Sequence, residues 1–445
     1  MWCCFGANDL EVEINGEEAE APSDPAIRPV EFYVHPESIY EQLIPSSPGK
    51  PPAVRLLDSE WVLARADLIS AAATDAERAE RALPRRQDLE ASEPHAFMSI
   101  EQIKSLPLGG RPGMDDTLAI GSVSHAWLTQ SHPDPLGEQL VRLASVIRKA
   151  QRGEMERQRE ANMERHGLKR PYQALPARFA LFFDWASLFQ SKKAPDGTVL
   201  LARTEAEDDA FQRALGSMQI WYAHQKLFAL LVTDLPPRCA DVRPPSERGW
   251  PTVERQWTMV AKTNAQFTWP MIYDVSIGDE APRQPPMRPE RLAELLKTKH
   301  FTSPKADHPL VLRLYRETIL SLLGGIETLN NNRVGWGAHE AASLAQVLSF
   351  CTRVEHVSIC QNQFGDDGCV ALMKAVCEPG TLPCLERWRL NGNGIGDVGC
   401  HALAAALRAG AMPQLEVLDF KDNDESTKAR EELRSAARER NIRLK

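Results

Sequence analysis

Apolar residues recur at helical spacing between Asp58 and Leu83, where Trp61, Leu63, Leu68, Ile69, Ala72 and Ala76 predict one or two helices that Pro84 ends. Four short runs rich in β-branched or aromatic residues then predict strands: Leu118 to Trp127, Arg178 to Leu188, Lys226 to Asp234 and Phe267 to Val275. The stretches between them, Leu136 to Arg165, Glu205 to His224 and Trp250 to Thr263, are long enough for crossover helices. An alternating order of this kind implies an α/β fold with a mostly parallel sheet covered on both faces. Ligands of such sheets bind outside the carboxyl ends of the strands, which puts His125 to Trp127, Asp184 to Ser187 and the residues after Asp234 on one rim. Beyond a proline-rich break at Pro282 to Arg288, Pro289 starts one helix and Leu310 to Leu323 predicts another.

From Leu322 onward the pattern repeats. Asn332, Asn362, Asn393 and Asn423 are 30, 31 and 30 residues apart, and Leu329, Ile359, Leu390 and Phe420 each stand three residues before them. Val354, Leu385 and Leu415 complete an L-x-x-L-x-L-x-x-N strand register, and a helical stretch such as Ala402 to Leu407 follows each turn. The region resembles the ribonuclease-inhibitor type of leucine-rich repeat, with three well-formed units and a degenerate first one in which Glu327 takes an apolar position. A period of this size implies a short α/β solenoid. Gly392-Asn-Gly-Ile-Gly396 falls at the asparagine turn and lacks the spacing of a dinucleotide loop.

Eight prolines between Pro22 and Pro52 and the acidic stretch before them suggest a mobile head. The 445 residues are 43% apolar and 25% charged, which excludes wholesale disorder. A net charge of −9 without a basic stripe argues against nucleic acid or an anionic membrane as partner. The longest apolar runs, Leu227 to Val232 and Ala402 to Leu407, are too short to span a bilayer, so no transmembrane segment is expected. The N-terminus lacks a signal-peptide pattern, and the expected location is cytoplasmic. Nine cysteines without a C-x-x-C pair suggest no metal site, and Cys369 and Cys400 sit at equivalent repeat positions as small buried spacers. Cys3 and Cys4 are candidate acylation sites, without a second membrane signal.

Three segments combine polar and aromatic groups with a strand end or helix start: Val123-Ser-His-Ala-Trp-Leu128, Phe182-Phe-Asp-Trp-Ala-Ser-Leu-Phe-Gln190 and Glu247-Arg-Gly-Trp-Pro-Thr-Val-Glu254. In this order they resemble the motifs of the fungal heterokaryon-incompatibility (HET) domain, itself similar to Toll/interleukin-1 receptor (TIR) domains. The resemblance covers about residues 95–280, with an insertion from Ala150 to Pro171. Multi-domain proteins of unicellular algae share the look, including His132 to Pro135 after the tryptophan. A flavodoxin/TIR-like sheet is the implied fold.

Some TIR domains cleave NAD through a glutamate four positions after a tryptophan, which matches Trp250 and Glu254 here, although Pro251 stands where that motif has cysteine. A carboxylate suits the reaction, because breaking the nicotinamide–ribose bond develops oxocarbenium charge. On this reading Glu254 is catalytic, Trp250 stacks on a base, Arg248 pairs with a phosphate, Asp184 holds a hydroxyl, and Ser124, His125 and Trp127 line the substrate site. The bland alternative stays open: Trp250 and Glu254 are also i and i+4 on one helix, as a core tryptophan and an ion-paired glutamate, while Asp184 caps a helix and Ser124 and His125 bond a turn.

The expected organisation is a disordered head (1–55), a helical segment (56–94), a TIR/HET-like domain (95–281), a helical connector (282–321) and leucine-rich repeats (322–445). Two functions fit it. One is a signalling sensor whose α/β domain binds, and on the resemblance hydrolyses, a nucleotide such as NAD, with no bound cofactor, while the repeats recognise a protein partner. The other is a non-catalytic adaptor. Self-association of the TIR/HET-like domain fits either.

Overall fold

The computed structural model describes residues 27–111, 114–154, 173–239, 241–260, 262 and 269–445. Cys3 and Cys4, most of the insertion between Ala150 and Pro171, and Phe267 at the head of the fourth strand run lie outside the described residues. The chain is a mixed α/β structure built around parallel sheets.

Among the described residues the larger sheet holds β1 (Leu57–Asp58), β2 (Ile120–Ser124), β3 (Ala180–Phe182), β4 (Phe228–Leu231), β5 (Ile272–Asp274) and β6 (Asp279–Glu280). They pair in the order β1-β3-β2-β4-β5-β6, the inner four parallel and the two edges antiparallel. Side chains alternate along β2, so Val123 faces the layer of α1 (Ser59–Ser70) and α2 (Glu138–Gln151). Gly121 shares that face, where a Cβ would come within 2.5 Å of the Phe228 ring and so keep the neighbouring strands from closing. On the opposite face lie α3 (Gln219–Ala223) and α4 (Gly249–Met259), with Trp221 stacked on Phe182 at 4.7 Å between centroids. Gly249 opens α4 because the ring of Phe301 occupies the place of a Cβ.

Three expectations change. The run from Arg178 to Leu188 is strand only as far as Phe182, because the Ser187 hydroxyl accepts from the Phe183 amide and closes a helical turn at Asp184–Ser187. Residues 56–94 are not a separate segment: Leu57 pairs with Leu181 inside the sheet, and α1 packs on α2. Residues 27–55, expected to belong to a disordered head, are ordered against the rest of the chain. From Ile27 the chain is described and in part deeply buried, with Tyr33 bonded to Thr318, Arg28 donating to the Gly216 carbonyl, and Ile39 and Val54 in the core. Prolines space these contacts; the few apolar side chains between them anchor the segment.

The connector is dominated by α5 (Pro304–Gly325), which crosses residue 321 and packs against α4. It leads into a second parallel sheet, β7 (Thr328–Asn330), β8 (His356–Ser358), β9 (Arg387–Arg389), β10 (Val417–Asp419) and β11 (Arg443–Leu444), stacked in chain order. The helices α6 (Ala338–Ala345), α7 (Gly365–Val376), α8 (Asp397–Arg408) and α9 (Thr427–Glu439) separate these strands. Val357, Trp388 and Leu418 point inward at equivalent positions.

Buried asparagines hold the turns. Asn393 donates to the carbonyls of Ile359 and Leu390 while its own oxygen accepts from the Asn362 amide; Asn362 and Asn423 make the matching bonds one unit away. Asn332 is not in this column. Leu329 pairs with Val357, two residues from the alignment that the asparagine spacing suggests, so Val334 stands where the column needs asparagine. The left-handed residues Arg333, Gln361, Gly392 and Asp422 recur in that corrected register. A two-residue slip keeps the same side chains facing inward, which is why the apolar pattern alone did not expose it. It also moves Glu327 into a column with Glu355, Glu386 and Glu416, so the first unit is less irregular than expected. Cys369 and Cys400 are buried spacers, whereas Cys377 and Cys384 are exposed.

Truncating Asn393 to alanine leaves the buried Asn362 amide without its partner, at about 1–3 kcal/mol, and takes one of two donors from the carbonyls of Ile359 and Leu390, which keep Asn362 and Asn423. Urea denaturation of Asn393→Ala shows a loss of about 2 kcal/mol, and Asn332→Ala, at a half-exposed position that water reaches, loses about 1 kcal/mol or less.

Candidate functional site

In the order β3-β2-β4-β5 the chain steps to one side of β2 for β3 and to the other for β4, so the crossovers diverge between β2 and β4. A crevice opens at such a switch point, beyond the carboxyl ends of the strands. A cleft of about 240 Å³ lies there, lined by Ser124 at the end of β2, Thr233 after β4, Thr252, Arg255 and Gln256 of α4, and Lys299. Its lining residues include two cations and several hydroxyls but no carboxylate.

Behind the cleft wall is a buried polar cluster. The Ser124 hydroxyl donates to Glu254 Oε2 at 2.6 Å, and Tyr222, which donates to the Val123 carbonyl, touches the same carboxyl. Burial pushes the Glu254 carboxyl up to about 8, the Ser124 bond opposes this, and the charge of Asp184 adds to it. Glu254 is therefore mainly a neutral acid at pH 7. It does not line the cleft; Ser124 stands between them.

Asp184 is held by the Trp185 amide at 2.7 Å and by Trp127 Nε1 at 3.2 Å. His125 packs on Phe183 with Nε2 3.5 Å from Asp184 Oδ1, too poorly placed for a hydrogen bond. Burial lowers the His125 pKa against the pull of Asp184 and favours the neutral imidazole. Ser124, His125, Trp127, Asp184 and Glu254 thus meet at one end of β2, with Glu254 brought there by α4.

The two residues expected to grip a nucleotide are engaged elsewhere. Arg248 donates to the carbonyls of Trp127 and Arg243, which ties the loop after β2 to the start of α4 and leaves no open fork for a phosphate. Trp250 is buried beside Trp257, with Asp307 of α5 close by, so neither ring face is free for a base. Both line a hollow of only about 20 Å³. Arg255, Gln256 and Lys299 line the cleft instead, with Gln256 nearly buried and Lys299 Nζ donating one of its protons to the Ser246 carbonyl. Arg255 and Gln256 were signalled only by their proximity to Glu254, and Lys299 by nothing in the sequence. No group of three histidine, cysteine or acidic residues able to hold a metal occurs among the described residues.

Residues 381–404 match a leucine-rich repeat family model. The match spans β9, the Asn393 turn and the first two thirds of α8, and supports a protein-interaction role for the repeats. No TIR or HET match accompanies it. No curated protein matches the chain. No helix among the described residues is long and apolar enough to cross a membrane.

Glu254 makes stability depend on pH. The folded chain holds its proton up to about pH 8, whereas the unfolded chain loses it near 4.5. Its contribution is full below the lower value and is lost as pH rises through the upper one. Thermal melts from about pH 5 to about pH 9 will show Glu254→Gln, which stays neutral, gaining stability relative to wild type as pH rises.

Proposed function

We propose that the chain is a cytoplasmic signalling sensor in which leucine-rich repeats recognise a protein partner and a TIR/HET-like α/β region binds a nucleotide-type anion such as NAD. The observation that carries the ligand half is the switch-point cleft, where Arg255 and Lys299 face a polar hollow without an opposing carboxylate. Two cations without an opposing carboxylate match a phosphate, while the Ser124, Thr233 and Thr252 hydroxyls beside them already donate to Glu254, Asp274 and the Arg248 carbonyl.

The protein half rests on the strand-lined face of the second sheet together with the repeat match. With Trp388, Leu390, Leu418 and Phe420 turned inward, Arg387, Arg389, Arg443 and Lys445 stand on the outward row, and Lys421 follows β10. Arg389 and Lys445 share Asp419, and the Glu327, Glu355, Glu386 and Glu416 column runs alongside. Adjacent basic and acidic stripes suit a partner carrying the complementary pair, and they select orientation more than raw affinity. Self-association of the α/β region is a further part of the proposal.

NAD hydrolysis is the second reading. It is favoured by one observation, that Ser124 both lines the cleft and holds the Glu254 carboxyl. In this closed arrangement the carboxyl is neutral and walled off, so binding is the better-supported function and hydrolysis needs Glu254 to open and ionise.

Calorimetric titration of AMP into the full chain will show binding that weakens about tenfold or more in Arg255→Ala/Lys299→Ala, the loss of roughly 1.4 kcal/mol or more expected for charge-assisted bonds. Chromatography of NAD incubations tests the second reading. Nicotinamide release that rises towards pH 8 and vanishes in Glu254→Gln supports hydrolysis; no release at any pH leaves binding alone.

A further inference from the structure

The switch-point cleft is small for a nucleotide, since sites for such ligands enclose about 300–1,000 Å³. A second cavity lies against its far wall. Gln256 and Gln284 also line this second cavity of about 140 Å³, which continues past Arg291 to His339, Glu340 and Ser343. His339, Glu340 and Ser343 belong to α6, the helix of the first strand–helix unit. The two cavities therefore share a wall and lead from the carboxyl ends of β2 and β4 to the repeat array.

Gln256 stands in that shared wall. It is only 6% exposed, it lines both cavities, and its buried Oε1 has no hydrogen-bond partner. The buried Nε of Arg255 beside it is unpartnered as well. An orphaned buried acceptor costs free energy comparable to a lost hydrogen bond unless something supplies a donor. The chemistry along the path runs from a cationic, hydroxyl-rich end at Arg255 and Lys299, through an acceptor at Gln256, to a mixed-charge polar end at Arg291, His339 and Glu340.

We infer that the ligand is an elongated, dinucleotide-length anion: its phosphate sits at Arg255 and Lys299, a hydroxyl or amine donates to Gln256, and its second polar end rests against α6 of the repeat array. This rests on the proposed nucleotide reading of the cleft and deepens it. A ligand in that position touches the α/β layer and the first repeat together, so it favours the arrangement in which α6 stands against the cleft. Ligand occupancy and the placement of the repeats then become linked quantities.

Titrations of AMP and of NAD into the full chain, compared in wild type and Ser343→Trp, test this. Ser343 is half-exposed and contacts only the second cavity, so tryptophan there fills the far end and leaves the cleft open. The expected result is that wild type binds NAD about tenfold or more tighter than AMP, and that Ser343→Trp abolishes this advantage while AMP binding is unchanged. Equal NAD affinity in wild type and variant, with AMP still bound, overturns the bridging ligand and leaves the cleft reading standing. Failure of wild type to bind either compound overturns both. Should Ser343→Trp not fold, Arg291→Glu, at an exposed position, serves in its place. Its like charge at the far end should weaken NAD about tenfold and spare AMP, and unchanged NAD binding overturns the inference.

Discussion

The hydrogen bond from Ser124 to Glu254 joins the central strand of the sheet to α4, and the rest of the molecule is arranged around that join. On one side of the bond α4 presents Arg255 and Gln256 to the crevice. On its other side Trp250 reaches Asp307 of α5, and α5 runs on into the first strand of the repeat array. One helix thus positions the cleft, seals the buried carboxyl and carries the packing from sheet to repeats.

The same bond shows why a carboxyl in a suggestive place need not act as an anion. Enclosed by the sheet and α3, with Asp184 nearby, Glu254 is more stable protonated than charged, because the low-dielectric surroundings penalise the ion by more than one serine hydroxyl recovers. An anion site placed instead among Arg255, Lys299 and hydroxyls escapes this penalty, since the charge arrives with its counter-charges in place. Binding and bond cleavage at this strand end therefore make different demands, and the closed arrangement meets the first.

The repeat array depends on a different constraint, the need to satisfy turn backbone that is buried between stacked units. Asn362, Asn393 and Asn423 do this by bridging neighbouring turns, and each unit needs the next for its bonds to close. The first unit, with Val334 in place of an asparagine, lends its amide to Asn362 and is held besides by Trp336, whose indole donates to the Arg283 carbonyl. The array consequently leans on the chain that precedes it.

Local periodicity was enough to set most element types, the order of strands and crossovers, the repeat period and a rim that holds His125, Trp127 and Asp184. These properties depend on residues a few positions apart, so they are legible in one dimension. The chain that folds back from Ile27 and the register of the first repeat were decided by tertiary structure. So were the engagement of Arg248 and Trp250 and the protonation of Glu254. Each turns on a neighbour far away in sequence: Thr318 for Tyr33, Trp127 for Arg248, Asp307 for Trp250, and Ser124 for Glu254 across 130 residues. Spacing shows which side chains are brought to a site, but burial and partners, supplied by the whole fold, set their charge and leave Arg255, Gln256 and Lys299 facing the open cleft.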